Sequence, residues 1–172
     1  MVVRAGGPLH GRDVTGSFLH AYHRGDTNRP GPEWLSGHKQ KTGRTMATGQ
    51  AEIDIKRSAD DVWAVVSDFG GIGGWMPGIE SCRVEGDNRI LDTMGMTITE
   101  RLVSRDDAGR ALTYSIADGA PVESHRAVIT VTPTGDTSHV TWEVEATPDE
   151  MAELMATIYQ QSLEALKTHV EG

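Results

Sequence analysis

Ala51, Ile53 and Ile55 alternate with Glu52, Asp54 and Lys56, the period-two pattern of a strand with one buried face. The period then changes. Ser58-Ala-Asp-Asp61 reads as a helix start, a serine N-cap with a carboxylate three residues on. Val62, Trp63, Val65, Val66 and Phe69 form the apolar stripe of the helix that follows. Residues 70–78, GGIGGWMPG, end it: four glycines run into Trp75-Met76, and Pro77-Gly78 stops the segment. Alternation returns in segments 79–85, 88–94, 96–105, 110–118 and 122–133, divided at Gly86-Asp87, Gly95, Asp106–Gly109 and Asp118–Pro121, and again in 137–147 after Gly135-Asp136. Connections this short favour an antiparallel meander. Thr147-Pro-Asp-Glu150 reads as a capping box with proline at the first helical position. Met151, Leu154, Met155, Ile158, Tyr159, Leu163, Leu166 and Val170 then recur at helical spacing. That is about twenty residues, or roughly 30 Å of helix. Nothing else in the chain is a helix long enough to cover its stripe, so it is expected against the sheet. An antiparallel sheet curved around a C-terminal helix buries all of these faces.

The same alternation sorts the strand residues by face. Met96, Ile98, Glu100 and Leu102 share one face of their strand, Leu112, Tyr114 and Ile116 one face of the next. His125, Ala127, Ile129 and Val131 follow, then Val140, Trp142 and Val144, with Glu143 and Glu145 turned to water. Three polar groups therefore sit among apolar neighbours: Glu100, Tyr114 and His125. A carboxylate on an apolar face is costly to bury unless it is paired or protonated. Glu100 reads either as an acid/base or ligand-orienting group or as half of a structural ion pair with Arg89 or Arg126. His125 reads as a general base or proton donor, or as a polar residue at a rim. Tyr114 and Trp142 read as wall residues offering wide contact area with a polar tip. Met94, Met155 and Tyr159 are expected between helix and sheet, as core or as ligand contacts.

Residues 1–45 look different. They hold seven Lys/Arg against three Asp/Glu, a net +4, which leaves −13 of the overall −9 for the remainder. They are rich in Gly, Pro, His and Arg and show neither period, so they read as a disordered basic extension ahead of one domain at 46–172. A short helix near Val14–His23 is the exception. His20 and His23 stand at HxxH spacing, with His10 and His38 nearby. No Cys or carboxylate set accompanies them, and a solvated His-rich tail is the expectation rather than a metal site. A natural start at Met46 is a second expectation, because the ordered pattern begins within five residues of it.

The acidic balance argues against nucleic acid or an anionic membrane as partner, since both need clustered Lys/Arg. One cysteine, Cys82, excludes an internal disulfide and is expected as a small buried residue rather than a nucleophile. No run approaches a membrane span and no signal-peptide core is present. A cytoplasmic protein is expected. No G-x-x-x-x-G-K-[ST], G-x-S-x-G or H-E-x-x-H occurs, and neither cofactor nor metal is implied. The glycines at 70–74 do not follow a strand and open a helix, so they are no dinucleotide fingerprint.

The stretches IDIKRSADDVWAVVSDFGGIGGWMPGIESCRVEG, MTITERLVSRDDAGRALTYSIADGAPV and HVTWEVEATPDEMAELMATIYQQSLEALK, which fall within residues 50–170, resemble the SRPBCC (START-like, helix-grip) superfamily, and most closely its polyketide cyclase/dehydrase branch. The resemblance implies an α+β helix-grip fold: about seven antiparallel strands curved around the long C-terminal helix, with two short helices after the first strand. It also implies a cavity between sheet and helix, with the second short helix, near residues 70–76, at its mouth. Trp75 and Met76 would then face a ligand, carried on flexible glycines as a mobile lid. The branch often carries a Glu-Arg pair where Glu100-Arg101 stands. A small apolar or aromatic ligand, of lipid, polyketide or isoprenoid type, is the expected partner. A cofactor-free cyclase, aromatase or dehydratase using Glu100, His125 and Tyr114 is the alternative, and an interaction module working through the tail is a third.

Overall fold

The structure, a computed structural model, describes residues 46–172. The expectations for the basic segment 1–45, including its histidines, lie outside the described residues. Strand β1 (Ala47–Ile55) leads into helix α1 (Ala59–Val66) and a 3-10 turn at Gly71–Gly74. Strands β2 (Ile79–Glu85), β3 (Asn88–Thr93), β4 (Met96–Asp106), β5 (Ala111–Asp118), β6 (Ser124–Thr134) and β7 (Thr137–Thr147) follow, and helix α2 (Asp149–Glu171) closes the chain. The strands form one antiparallel sheet in the order β1-β7-β6-β5-β4-β3-β2. The first strand thus lies at one edge and the second at the other. The chain crosses the sheet through α1 and the 3-10 turn, then meanders back strand by strand until α2 returns over β1 and β7. This is the α+β helix-grip fold expected from the sequence.

Local chemistry sets the ends of α1. Ser58 Oγ accepts from the Asp61 amide at 3.2 Å and donates to the Asp61 carboxylate at 2.8 Å. Arg110, at the start of the β4–β5 connection's exit, binds Asp60 through Nε at 3.0 Å and Nη2 at 2.6 Å. Asp107 accepts from Trp63 Nε1 at 3.0 Å, and Arg105 Nη1 donates to the Ser67 carbonyl at 3.1 Å. The β4–β5 turn therefore holds both ends of α1. The far end of α2 is tied to β1 in the same way. Arg57 Nε donates to the Val170 carbonyl at 2.8 Å, and Lys167 Nζ to the Asp54 carbonyl at 2.6 Å. The guanidinium satisfies a helix C-terminal carbonyl that has no partner within the helix.

Three expectations are corrected. Thr147 does not cap α2: it remains in the sheet opposite Ser124, and Pro148, extended, is the N-cap with no side-chain bond. Helical residues begin at Asp149, so the cap position falls on Pro148 and Thr147 lies one residue outside it. Leu154 lies 51% exposed, because the buried face of α2 runs through Ala152, Met155, Tyr159, Ser162, Leu163 and Leu166. Met94 is 72% exposed. β3 ends at Thr93, and Met94 (φ 48°) with Gly95 (φ 75°) forms the two-residue turn into β4. Such a turn needs positive φ at both positions and points its side chains away from the core.

Candidate functional site

The inward residues of successive strands form one row. Arg89 on β3 lies directly opposite Glu100 on β4, and Tyr114 on β5, His125 on β6, Trp142 on β7 and Tyr159 on α2 continue it. All six are buried. Period two puts the five strand side chains on the concave face, the sheet's curvature brings them together, and α2 packs Tyr159 against them.

Arg89 Nε donates to Glu100 Oε2 at 2.6 Å, with side chains only 4% and 10% exposed. Arg89 Nη1 donates to the Phe69 carbonyl at 3.0 Å, just where α1 gives way to the glycines. The guanidinium carbon also lies 4.2 Å from the Phe69 ring centroid and 5.0 Å from that of Tyr114. A buried charge persists only when paired and hydrogen-bonded, and Glu100 and Arg89 supply that for each other. Of the two arginines weighed for Glu100 in the sequence, the partner is Arg89. Arg101 is exposed, with Nε 3.4 Å from Asn88.

The second cluster is a hydrogen-bonded tetrad. The Ile116 amide donates to His125 Nδ1 at 3.0 Å. Nδ1 is therefore an acceptor, and the neutral ring carries its proton on Nε2, 3.1 Å from the Tyr159 hydroxyl. The Tyr159 and Tyr114 hydroxyls lie 3.1 Å apart. Trp142 Nε1 donates to the Tyr114 hydroxyl at 3.2 Å. The rings pack as well as bond: Trp142 and Tyr159 stack at 4.1 Å and 8°, and Tyr114 meets Trp142 edge-on at 6.4 Å and 68°. Burial lowers His125 to about 4, well below an ordinary imidazole. Burial also pushes Tyr159 and Tyr114 well above the usual phenol, reinforced for Tyr114 by Tyr159 and then Glu100, and for Tyr159 by Glu100. At neutral pH the tetrad is uncharged and its hydroxyls are donors, not bases.

Trp75 closes the row from above. Its ring lies 6.2 Å from that of Trp142, tilted by 53°. Trp75 Nε1 is buried with no hydrogen-bond partner among the described residues. Met76 is half-buried against the same core, and Met155 packs into it from α2. Between Ile72, Trp75, Arg89, Tyr114 and Trp142 a cavity of about 10 Å³ remains. That is room for about one water molecule. A wider depression of about 310 Å³ lies among Thr48, Gln50, Arg126, Glu143 and Glu145 on the polar side of the sheet, away from the tetrad.

Glu100, His125, Tyr114, Trp142, Tyr159, Trp75, Met76 and Met155 thus meet around one inner face, and Met94 does not. The contribution of Arg89 was legible in part: counting back from a two-residue turn at Met94-Gly95 pairs position 89 with position 100. Its stacking on Phe69 and Tyr114 had no sequence signal. Cys82 is half-buried, and burial raises its thiol above the usual value, so it is not poised as a nucleophile. Among the described residues there is no cluster of metal-ligating side chains and no helix long and apolar enough to cross a membrane.

A family model described as polyketide cyclase/dehydrase and lipid transport matches residues 46–171. Two solved structures are similar at 33% identity over 73% of this chain. An uncharacterised protein of Bacillus thuringiensis is covered over 100% of its length with a TM-score of 0.68. The protein XoxI of Bacillus cereus is covered over 96%, with a TM-score of 0.69. A START superfamily protein of Mycobacterium smegmatis, at 18% identity over 72% of this chain and 97% of its own, shares the fold with a TM-score of 0.62. No curated protein matches the chain.

Proposed function

The chain belongs to the polyketide cyclase/dehydrase and lipid transport family, and from that premise we propose that it binds a small apolar or aromatic molecule between the sheet and α2. The observation that carries binding over catalysis is that each acid/base candidate is already engaged. The only ring lone pair of His125 accepts from the Ile116 amide. Glu100 is neutralised by Arg89 at 2.6 Å. Tyr114 and Tyr159 are held protonated by burial. A general base needs a free lone pair within reach of the proton that it removes; the neutral His125 ring has none to spare, and the Glu100 carboxylate is held against Arg89 through Oε2. The face offers instead aromatic walls with a few oriented polar atoms, the usual make-up of a ligand pocket.

A cavity of about 10 Å³ is far smaller than the roughly 300 Å³ of a small-ligand site. The ligand must therefore displace something. Segment 70–76 is the candidate: Trp75 and Ile72 wall the cavity, and the 3-10 turn packs on edge strand β2. In this reading Trp75 fills the ligand's place when the site is empty and swings out when it is filled.

Native mass spectrometry of the purified protein tests the reading. An apolar adduct released by organic solvent, with Trp75 emission shifted on its removal, is the expected outcome. Absence of any adduct, together with no binding of aromatic probes at millimolar concentration, would refute it. Turnover of a bound poly-ketone that Glu100→Gln abolishes without weakening affinity would turn the reading to a cyclase.

A further inference from the structure

The two edges of the sheet are finished differently. Along the second half of β1 the outer backbone is covered by side chains of α2. Gln160 accepts from the Glu52 amide and donates to the Glu52 carbonyl, both at 3.3 Å, as a neighbouring strand would. Lys167 Nζ donates to the Asp54 carbonyl at 2.6 Å, and the Lys56 amide donates to Glu171 Oε1 at 2.6 Å. An uncovered edge is a template for pairing with another chain, and covering it prevents that. Strand β2, at the opposite edge, pairs only with β3. Among the described residues its outer backbone has no such cover: Ser81 turns its hydroxyl to Asp92, and Arg83 its guanidinium to Glu85. Glu85 and Asn88 close the two-residue turn at Gly86-Asp87, and a closing pair of that kind exchanges both of its backbone bonds. Alternation then turns the N–H and C=O of Val84 outward. The Val84 side chain, opposite Arg89 and on its face, is 52% exposed. Arg83 and Glu85 point to the outer face, with Nε 3.2 Å from Oε1, and are more than half exposed.

We infer that the β2 edge is an interface for a second copy of this chain, which adds its own β2 antiparallel about a two-fold axis at Val84. Such an axis sets one residue opposite itself, so few registers are possible, and charge selects among them. An axis at Arg83 or at Glu85 sets like charges directly across the strands, which destabilises. An axis at Cys82 sets Arg83 opposite Ser81 and Glu85 opposite Ile79, and leaves both charges unmatched. An axis at Val84 sets Arg83 opposite the partner's Glu85, and Glu85 opposite the partner's Arg83. Both are pairs of the type in which side chains approach most closely. With the Arg83–Glu85 pair already present in each strand, the four charges form one alternating ring. The same register lets the two outward-turned Val84 backbones exchange two hydrogen bonds, and each exposed isopropyl group covers the other. The shared ladder is short, so the association belongs to the weak, concentration-dependent class. It involves neither the tetrad nor α2 and is independent of the binding reading.

Sedimentation equilibrium of the full chain from about 10 µM to about 1 mM tests the inference, together with amide exchange at the two ends of that range. The expected result is a reversible monomer–dimer equilibrium, with exchange at the Val84 amide slowed at least tenfold at the upper concentration. Arg83→Glu and Glu85→Arg, each alone, set like charges across the strands and should weaken the dimer at least tenfold. Mixed together, the two variants should associate with each other about as tightly as the wild type does with itself. The double variant Arg83→Glu with Glu85→Arg should likewise regain self-association to within threefold. A monomer at the upper concentration would overturn the inference. A dimer that both single variants leave unchanged would also overturn it, because its contact then lies elsewhere. So would a dimer in which the Val84 amide exchanges as fast as in the monomer. The wild-type mass and the wild-type Val84 exchange decide the matter if a variant fails to fold.

Discussion

Arg89 and Glu100 show how one pair can read as chemistry in a sequence and as support in a structure. The carboxylate that alternation places on an apolar face is matched, one strand away, by a guanidinium that also bonds the Phe69 carbonyl and lies over two aromatic rings. Glu100→Gln keeps the shape but leaves Arg89 buried without a counter-charge. It should cost about 3–5 kcal/mol in urea denaturation, and pairing it with Arg89→Met should recover much of that loss. A cost below about 1 kcal/mol would mean that the pair is not what holds the row. His125 makes a prediction in pH. Its folded value, about 4, lies below the ordinary 6.5. The unfolded chain therefore takes up a proton first as pH falls. The stability contributed by neutral His125 is complete above about 6.5 and is lost progressively as pH falls toward 4, by up to roughly 3 kcal/mol. The slope of unfolding free energy between pH 6.5 and 5 should flatten in His125→Gln, and an unchanged slope would contradict the burial of a neutral ring.

The two layers touch most closely where α2 crosses β1. A Cβ at Gly49 would lie 2.6 Å from the Ala152 carbonyl oxygen and 2.9 Å from Ala156 Cβ. The backbone carbonyl cannot yield without moving the helix, so Gly49→Ala should destabilise by about 1–3 kcal/mol and lower the thermal midpoint. Gly74 is the opposite case. A Cβ there meets nothing within 4 Å. Gly74→Ala should leave the native state undisturbed, raise stability by up to about 1 kcal/mol through the unfolded chain, and slow probe entry in stopped-flow. Both glycines look alike in the sequence, yet one is required by packing and the other is free of it.

For the protein as a whole, the proposed binding requires a closed core to open. The sheet and α2 share a continuous buried cluster, whereas the 3-10 turn at Gly71–Gly74 packs on edge strand β2, and Trp75 and Met76 join the cluster only as partly buried residues at its margin. Opening of the segment would leave the ladders intact and expose the tetrad. Amide exchange at residues 71–76 should therefore exceed that in β6 and β7 by at least tenfold, and slow down when a probe is bound. Exchange as slow as in the central strands would make Trp75 a fixed wall and direct the search for a site to the outer face.

Periodicity along the chain was enough to set the seven strands, both helices, the concave face and the tetrad's members, because a two-residue or 3.6-residue repeat is a local property that survives without coordinates. Glu100, Tyr114, His125, Trp142 and Tyr159 were therefore legible. Their relations were not. That Ile116 occupies the lone pair of His125, that Arg89 stacks on Phe69 and Tyr114, and that Met94 turns to solvent depend on register and on turn geometry, which join residues far apart in sequence. Only the folded sheet decided that these groups neutralise and bond one another, since hydrogen bonding and charge pairing act over a few ångströms of space, whatever the separation along the chain.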